Sequence, residues 1–150
     1  MITYQLESWA DYRRDVGDLW QEHYDELAMN KRKAMKPHED FYLSAEKAGM
    51  MQLLTVRADG KLIGYCILFI KPHPHYADVL CGFEDTYYLS QAYRKGMTGV
   101  RLITESEKYC LARGCKEVVF MEIASKETGS IFERLKYKKS HVTWTKWLGS

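Results

Sequence analysis

The run Asp85-Thr-Tyr-Tyr-Leu-Ser-Gln-Ala-Tyr-Arg-Lys-Gly-Met-Thr-Gly-Val-Arg-Leu-Ile103 carries two different hydrophobic periods. Its first part reads as the end of a strand, from about Val79 to Ser90, rich in aromatic and aliphatic residues. Its last part opens a helix predicted over 97–113, with Val100, Ile103, Cys110 and Leu111 among its apolar positions and Gly114 as its stop. Between them lies a basic loop with two glycines. The first turn of any helix leaves backbone N–H groups without internal partners, and the helix dipole adds positive character there. Gly96 and Gly99 remove side chains from that place, and Arg94 and Lys95 add cations. Such a strand, loop and helix can cradle a diphosphate.

Outward from this run the pattern stays mixed. Ile2 to Glu7 alternates as a first strand. Ser8 is a good N-cap with Asp11 at the third helical position. Trp9, Tyr12, Val16, Leu19, Trp20, His23, Tyr24 and Leu27 then recur at spacings of three and four, predicting one amphipathic helix from about 9 to 29. His38 to Ala48 reads as a second helix stopped by Gly49. Met51 to Ala58 and Lys61 to Lys71 form a hairpin about the two-residue turn Asp59-Gly60. Lys116 to Ala124 reads as a strand buried on both faces, Glu127 to Leu135 as a short helix, and Lys138 to Leu148 as a closing strand. The expected fold is a single domain, 1–150, of α/β (α+β) class, with a largely antiparallel sheet.

Composition narrows the function classes. Of 150 residues, 46% are hydrophobic and 28% charged, enough to build a core. The longest apolar run, Leu62 to Ile70, is strand-sized, well short of the roughly 18 residues of a membrane span. The N-terminus shows no signal-peptide pattern. A net charge of +2 is too mild for a nucleic-acid footprint, although Lys31, Arg32, Lys33 and Lys36 form a basic connection. Cys66, Cys81, Cys110 and Cys115 contain no CxxC pair and read as buried free thiols of a cytoplasmic protein. His73-Pro-His75 is the one close-set histidine pair, so no metal site is expected.

The loop and its setting resemble the GNAT N-acetyltransferases, whose pattern there is Gln/Arg-x-x-Gly-x-Gly/Ala. Leu89-Ser-Gln-Ala-Tyr93-Arg94 matches the approach, with Gln91 where proline is usual. Arg94 and Gly99 match the first and last motif positions. Met97 stands where the first glycine belongs, and Gly96 lies one place earlier. The short helix ending Ile131-Phe-Glu-Arg-Leu-Lys-Tyr137 looks like the family's last helix. Leu19-Trp-x-x-His23-Tyr-x-Glu26-Leu and Arg57-x-Asp-Gly-Lys-Leu-Ile-Gly-Tyr65 look like stretches of GNAT proteins found in bacteriophage and prophage genomes.

The resemblance implies a central sheet with helices on both faces, acetyl-CoA as co-substrate, and direct attack of a primary amine, from a small molecule or a peptide, on the thioester. It places Tyr88 and Leu89 beside the thioester, with the Leu89 N–H on the developing oxyanion, a contribution of about 2.7–4 kcal/mol. It places the amides of Arg94, Lys95, Gly96, Met97, Thr98, Gly99 and Val100 on the diphosphate. An attacking ammonium must first lose a proton, for which Glu84, Asp85 and, on the next strand, Glu122 are candidates. Simple alternation puts Asp85, Tyr87 and Leu89 on one face and Glu84, Thr86 and Tyr88 on the other. The family's tyrosine on the last helix, which protonates the leaving thiolate, is Phe132 here, and the glycine before its final aromatic is Lys136. The acidic face of the helix 9–29 either attracts a cationic amine or is simply solvated. Trp144 and Trp147 either line an acceptor pocket or seal the core. A catalytically silent GNAT-fold binding protein and a homodimer both stay open.

Overall fold

The computed structural model describes residues 1–28, 31–123 and 129–149. In chain order these form β1 (Ile2–Leu6), α1 (Trp9–Asp15), α2 (Gly17–Leu27), α3 (Glu39–Lys47), β2 (Met51–Ala58), β3 (Lys61–His73), β4 (Tyr76–Leu89), a 3-10 turn (Gln91–Tyr93), α4 (Thr98–Ala112), β5 (Glu117–Val119) and α5 (Gly129–Arg134). The sheet order follows the chain, β1-β2-β3-β4-β5. The first four strands pair antiparallel and β4 pairs β5 in parallel.

Local chemistry accounts for most of these boundaries. The Ser8 hydroxyl accepts from Asp11 N at 3.1 Å and donates to the Asp11 carboxylate at 2.9 Å, starting α1. The expected single helix is two, broken at Val16, where Gly17 brings a helix cost of about 1 kcal/mol relative to alanine. The second piece ends at Ala28, whose backbone is extended; residue 29 of the expected helix lies outside the described residues. Asp59 and Gly60 both take positive φ, 47° and 86°, the pair of values a two-residue hairpin turn requires. The α3 and α4 ends close by paired hydrogen bonds: Met50 N to Ala45 O (2.8 Å) with Gly49 N to Glu46 O (3.0 Å), and Cys115 N to Cys110 O (3.0 Å) with Gly114 N to Leu111 O (3.0 Å).

Two apolar clusters hold the layers together. On one face, Trp9, Tyr12, Val16, Leu19 and Trp20 from α1 and α2 pack on Leu53, Leu62, Tyr65, Ile67 and Tyr88. On the other, Leu102 and Cys110 from α4 pack on Leu54, Val56, Ile63, Cys66, Leu68 and Leu89. Inside the first cluster Trp20 Nε1 donates to Tyr12 Oη (2.7 Å) and His23 Nδ1 lies 2.6 Å from Tyr65 Oη, whereas the buried Trp9 Nε1 has no hydrogen-bond partner among the described residues. An unmatched hydroxyl there would cost about 1–3 kcal/mol. Burial holds the His23 pKa down at about 4, so its ring is neutral near pH 7. All four cysteines are buried and free, and burial pushes the Cys66 and Cys110 thiols up, Cys110 to about 12.

At Gly64 no room is left for a side chain between β3 and its neighbours. A Cβ there would lie 2.7 Å from Tyr88 O and 2.8 Å from Val56 Cγ1. Gly64→Ala is expected to destabilise the fold by about 1–3 kcal/mol, read as a lower urea midpoint, because a backbone carbonyl cannot step aside.

Two strand expectations are corrected. Only Glu117–Val119 of the stretch 116–124 pairs, and Val118 and Val119 are half-buried rather than covered on both faces; Ala124 lies outside the described residues, as does Glu127 of the expected helix 127–135, which forms over Gly129–Arg134. Residues 138–148 form no strand. Trp144 is 91% exposed and Trp147 41%, so neither seals the core. Alternation supplies a period, but a strand exists only with a neighbour, and beyond β5 no described residue provides one. No helix among the described residues is long and apolar enough to cross a membrane.

Candidate active site

The pairing of β4 with β5 stops at Phe83↔Val119, so Glu84 to Leu89 run on beside no fifth strand. The other edge of β4 stays paired to β3 as far as Gly64↔Leu89. On the β5 side the ladder has ended, leaving a gap in the pairing between the second half of β4 and the chain that follows β5. Into it points the Leu89 peptide. The next amide, Ser90 N, donates to Ile63 O on β3 (2.8 Å), and the Leu89 carbonyl accepts from Arg94 Nε (2.8 Å) instead of from β3. Strand geometry turns the N–H and C=O of one residue to the same edge, so the Leu89 N–H faces away from β3.

A β-bulge sits at the mouth of this gap. Ile67 faces Thr86 and Leu68 faces Glu84, leaving Asp85 as the extra residue. The bulge resets alternation. Glu84, opposite Leu68, shares the α4 face with Tyr87 and Leu89, whereas Asp85 turns to the other face and accepts from Tyr42 Oη of α3 at 2.8 Å. The alternation expected from sequence, Asp85 with Tyr87 and Leu89, is thus overturned: one extra residue inverts the faces on one side of it.

The two acids meet different surroundings. Glu84 accepts from Met121 N (3.3 Å), across the gap, on the segment after β5. Burial, reinforced by the neighbouring Asp85 charge, raises its pKa to about 7 against the pull of that amide. Burial also raises the Asp85 pKa, with the Tyr42 hydroxyl opposing. Two carboxyls flank the bulge, and Glu84 is the one facing the gap.

Beyond β4 the chain makes its 3-10 turn and enters α4. Tyr93 N and Arg94 N are satisfied within that turn, by Ser90 O (2.9 Å) and Gln91 O (3.3 Å). The first α4 amide bound to an acceptor one turn back is Arg101, onto Met97 O (2.9 Å). The amides of Thr98, Gly99 and Val100 precede it and have no acceptor within the helix. The run of amides without a backbone acceptor therefore extends from Lys95 to Val100 and leaves out that of Arg94. The left-handed residue is Gly96, with φ 84°, while Met97 caps α4 at φ −101° with its side chain 55% exposed. Shifting the glycine one place earlier moves the turn with it, so Met97 needs no special conformation. Tyr4 fixes the helix start by donating to Thr98 O (3.1 Å), and Arg101 lies over its ring.

The Arg94 side chain turns from the loop toward α2. Its guanidinium makes a two-pronged pair with Glu26 of α2, Nη1 to Oε1 at 2.6 Å and Nη2 to Oε2 at 2.8 Å. Tyr88 Oη also donates to Glu26 (2.6 Å), and Gln91 Nε2 does so at 3.0 Å. One turn earlier, Glu22 accepts from Ser90 Oγ (3.0 Å) and Gln91 N (3.2 Å). Pairing with Arg94 holds the Glu26 pKa down at about 2. Lys95 remains an exposed cation at the loop.

A model of the Acetyltransferase (GNAT) family matches residues 8–132. The chain belongs to the GNAT acetyltransferase family. Solved structures agree in fold. A ribosomal-protein-alanine N-acetyltransferase from Brucella melitensis biovar Abortus 2308 aligns at TM-score 0.77 and 17% identity, over 100% of this chain and 99% of that one. An aminoglycoside acetyltransferase from an uncultured soil metagenomic sample, solved with sisomicin, gives 0.75 and 12%, over 99% and 97%. Glucosamine-6-phosphate N-acetyltransferase from Arabidopsis thaliana gives 0.74 and 11%, over 99% of each chain. Identities this low carry the fold and leave the acceptor unidentified. Among curated proteins, none matches the sequence.

Within this GNAT chain, α5 places Phe132 in an aromatic cluster with Phe120 (5.3 Å between ring centres), Tyr137 (5.3 Å) and Tyr87 (6.0 Å). Tyr137 Oη donates to Glu107 (2.7 Å). Lys136, where the family's glycine is usual, takes φ 69°, the left-handed conformation that glycine would adopt freely. The acidic helix face divides. Asp15 pairs with Arg57 (2.8 Å), Glu22 and Glu26 hold the β4 exit, and Asp18 lines a groove of about 360 Å³ with Lys61, Ser90 and Tyr93. In the basic connection, Lys31 Nζ donates back to Tyr24 O (3.0 Å). The roles of Tyr42, Glu22 and Tyr87 were missed from sequence. The i, i+4 spacing of Glu22 and Glu26 was the one available signal.

Proposed function

We propose that the protein transfers an acetyl group from acetyl-CoA to a primary amine by direct attack on the thioester. The gap beside β4, continuous with the open amides of α4, supports this reading. An extended thioester arm fits along Tyr88 and Leu89, and the diphosphate fits on the amides of Lys95, Gly96, Met97, Thr98, Gly99 and Val100. Acetyl-CoA supplies the activated acyl carbon. Glu84, facing the gap with a pKa of about 7, takes the proton from the attacking ammonium. The Leu89 N–H faces the carbonyl oxygen as it gains charge. Phe132 has no proton to give the departing thiolate; Tyr87, on β4 with its ring 6.0 Å from that of Phe132, is the tyrosine assigned to that step. Asp85, turned to the α3 side and bonded to Tyr42, is the second candidate base. The likeness to bacteriophage and prophage members rests on the Leu19–Leu27 and Arg57–Tyr65 stretches alone.

The catalytically silent alternative keeps one observation in its favour, the phenylalanine at 132. Two measurements decide. Calorimetric titration at moderate salt is expected to show acetyl-CoA binding, and absence of heat at millimolar ligand rejects the site. Thiol release over peptides, polyamines and aminoglycosides is expected for at least one amine; binding without release on any of them selects the silent reading.

A further inference from the structure

The Glu26–Arg94 pair joins elements 68 residues apart in sequence and spans from α2 to the start of the cradle. Glu26 is nearly covered, with 7% of its side chain exposed, and all its partners come from one short stretch: Tyr88, Gln91 and Arg94. Arg94 carries the connection further. Its Nε holds the Leu89 carbonyl, and its guanidinium lies over the Tyr88 ring, 5.2 Å from the centre. The end of β4, the 3-10 turn and the entry to the cradle are thereby tied to one carboxylate on a helix of the opposite layer.

We propose that Glu26 is a positioning residue for coenzyme A: by clamping Arg94 and Gln91 it holds the 90–97 loop so that the amides from Lys95 to Val100 converge. This rests on the acetyl-CoA reading above. A two-pronged carboxylate–guanidinium pair fixes both direction and distance, which a single neutral hydrogen bond does not. Glu26 makes no contact with Glu84 and reaches the end of β4 only through Tyr88, Gln91 and Arg94, so its effect falls on binding rather than on proton transfer.

The test is a double-mutant cycle with Glu26→Gln, which keeps the side-chain shape, and Arg94→Gln, which removes the guanidinium, read by calorimetric titration of coenzyme A and by KM against kcat. Glu26→Gln is expected to weaken coenzyme A binding about tenfold, equivalent to about 1.4 kcal/mol. The loss should appear in KM for acetyl-CoA, with kcat far less affected. The double variant should be no worse than the poorer single variant, since both remove one clamp. Wild-type affinity in Glu26→Gln, additive losses, or a loss confined to kcat overturns the proposal. So does collapse of the fold in Glu26→Gln by circular dichroism, because the effect claimed is local. If the unaltered protein binds no coenzyme A, the acetyl-transfer reading itself fails instead.

Discussion

Glu84→Gln is expected to lower kcat for acetyl transfer by about 10²–10⁴-fold, the usual worth of a positioned general base, with coenzyme A affinity unchanged. Glutamine keeps the shape and can still meet Met121 N, but it cannot accept the ammonium proton. The pH profile separates this from a structural effect. The base works ionised, so the rate rises with pH through about 7 and levels off above it. That limb should vanish in the variant. Stability moves in the opposite sense. A carboxyl whose folded pKa is raised above its usual 4.5 to about 7 contributes stability fully below the unfolded value and loses it as pH climbs through 7. At pH 8 the variant should therefore melt higher than the unaltered protein, since it no longer buries an ionised acid. A rate limb that persists in Glu84→Gln would assign the base to Asp85 or Glu122.

Gly99→Phe should weaken coenzyme A binding by about 100-fold, roughly 2.7 kcal/mol, while leaving the fold intact. Gly99 is the second residue of α4, and an added Cβ would touch only Leu89 Cδ2, at an ordinary 3.6 Å. Alanine is accommodated there, and the helix gains from losing a glycine. A longer side chain leans toward the helix N-terminus, over the amides of the first turn. Leu89 blocks the inward path, so the ring covers the cradle. Calorimetry with coenzyme A should rank the unaltered protein first, Gly99→Ala next and Gly99→Phe last, with equal or higher melting temperatures for both variants. Undiminished binding by Gly99→Phe would place the diphosphate elsewhere. Arg94, engaged with Glu26 and Leu89, is not a free surface charge that solvent simply screens.

Elements with local signatures were legible before any coordinates. Ser8 and Asp11 announced a helix start, Asp59-Gly60 a hairpin, Gly49 and Gly114 helix ends, and each appears as expected. The strand, loop and helix from Val79 onward also stand, with the open amides where the loop meets α4. The misreadings share one character. Lys138 to Leu148 has the rhythm of a strand without a partner, and the helix 9–29 was read through Gly17 because its apolar spacing continues across it.

The linear order of residues, by itself, determined most of the element order, the largely antiparallel sheet and the place where a helix opens on a basic, glycine-bearing loop. These depend on propensities, caps and turns that act over a few neighbours. Only the tertiary structure decided that Glu84 rather than Asp85 faces the gap, that Arg94 turns to α2, and that the closing segment lies exposed. A bulge is set by register against β3, an ion pair by a helix far along the chain, and a strand by the edge it joins. Each depends on contacts between distant segments, about which no local pattern carries information.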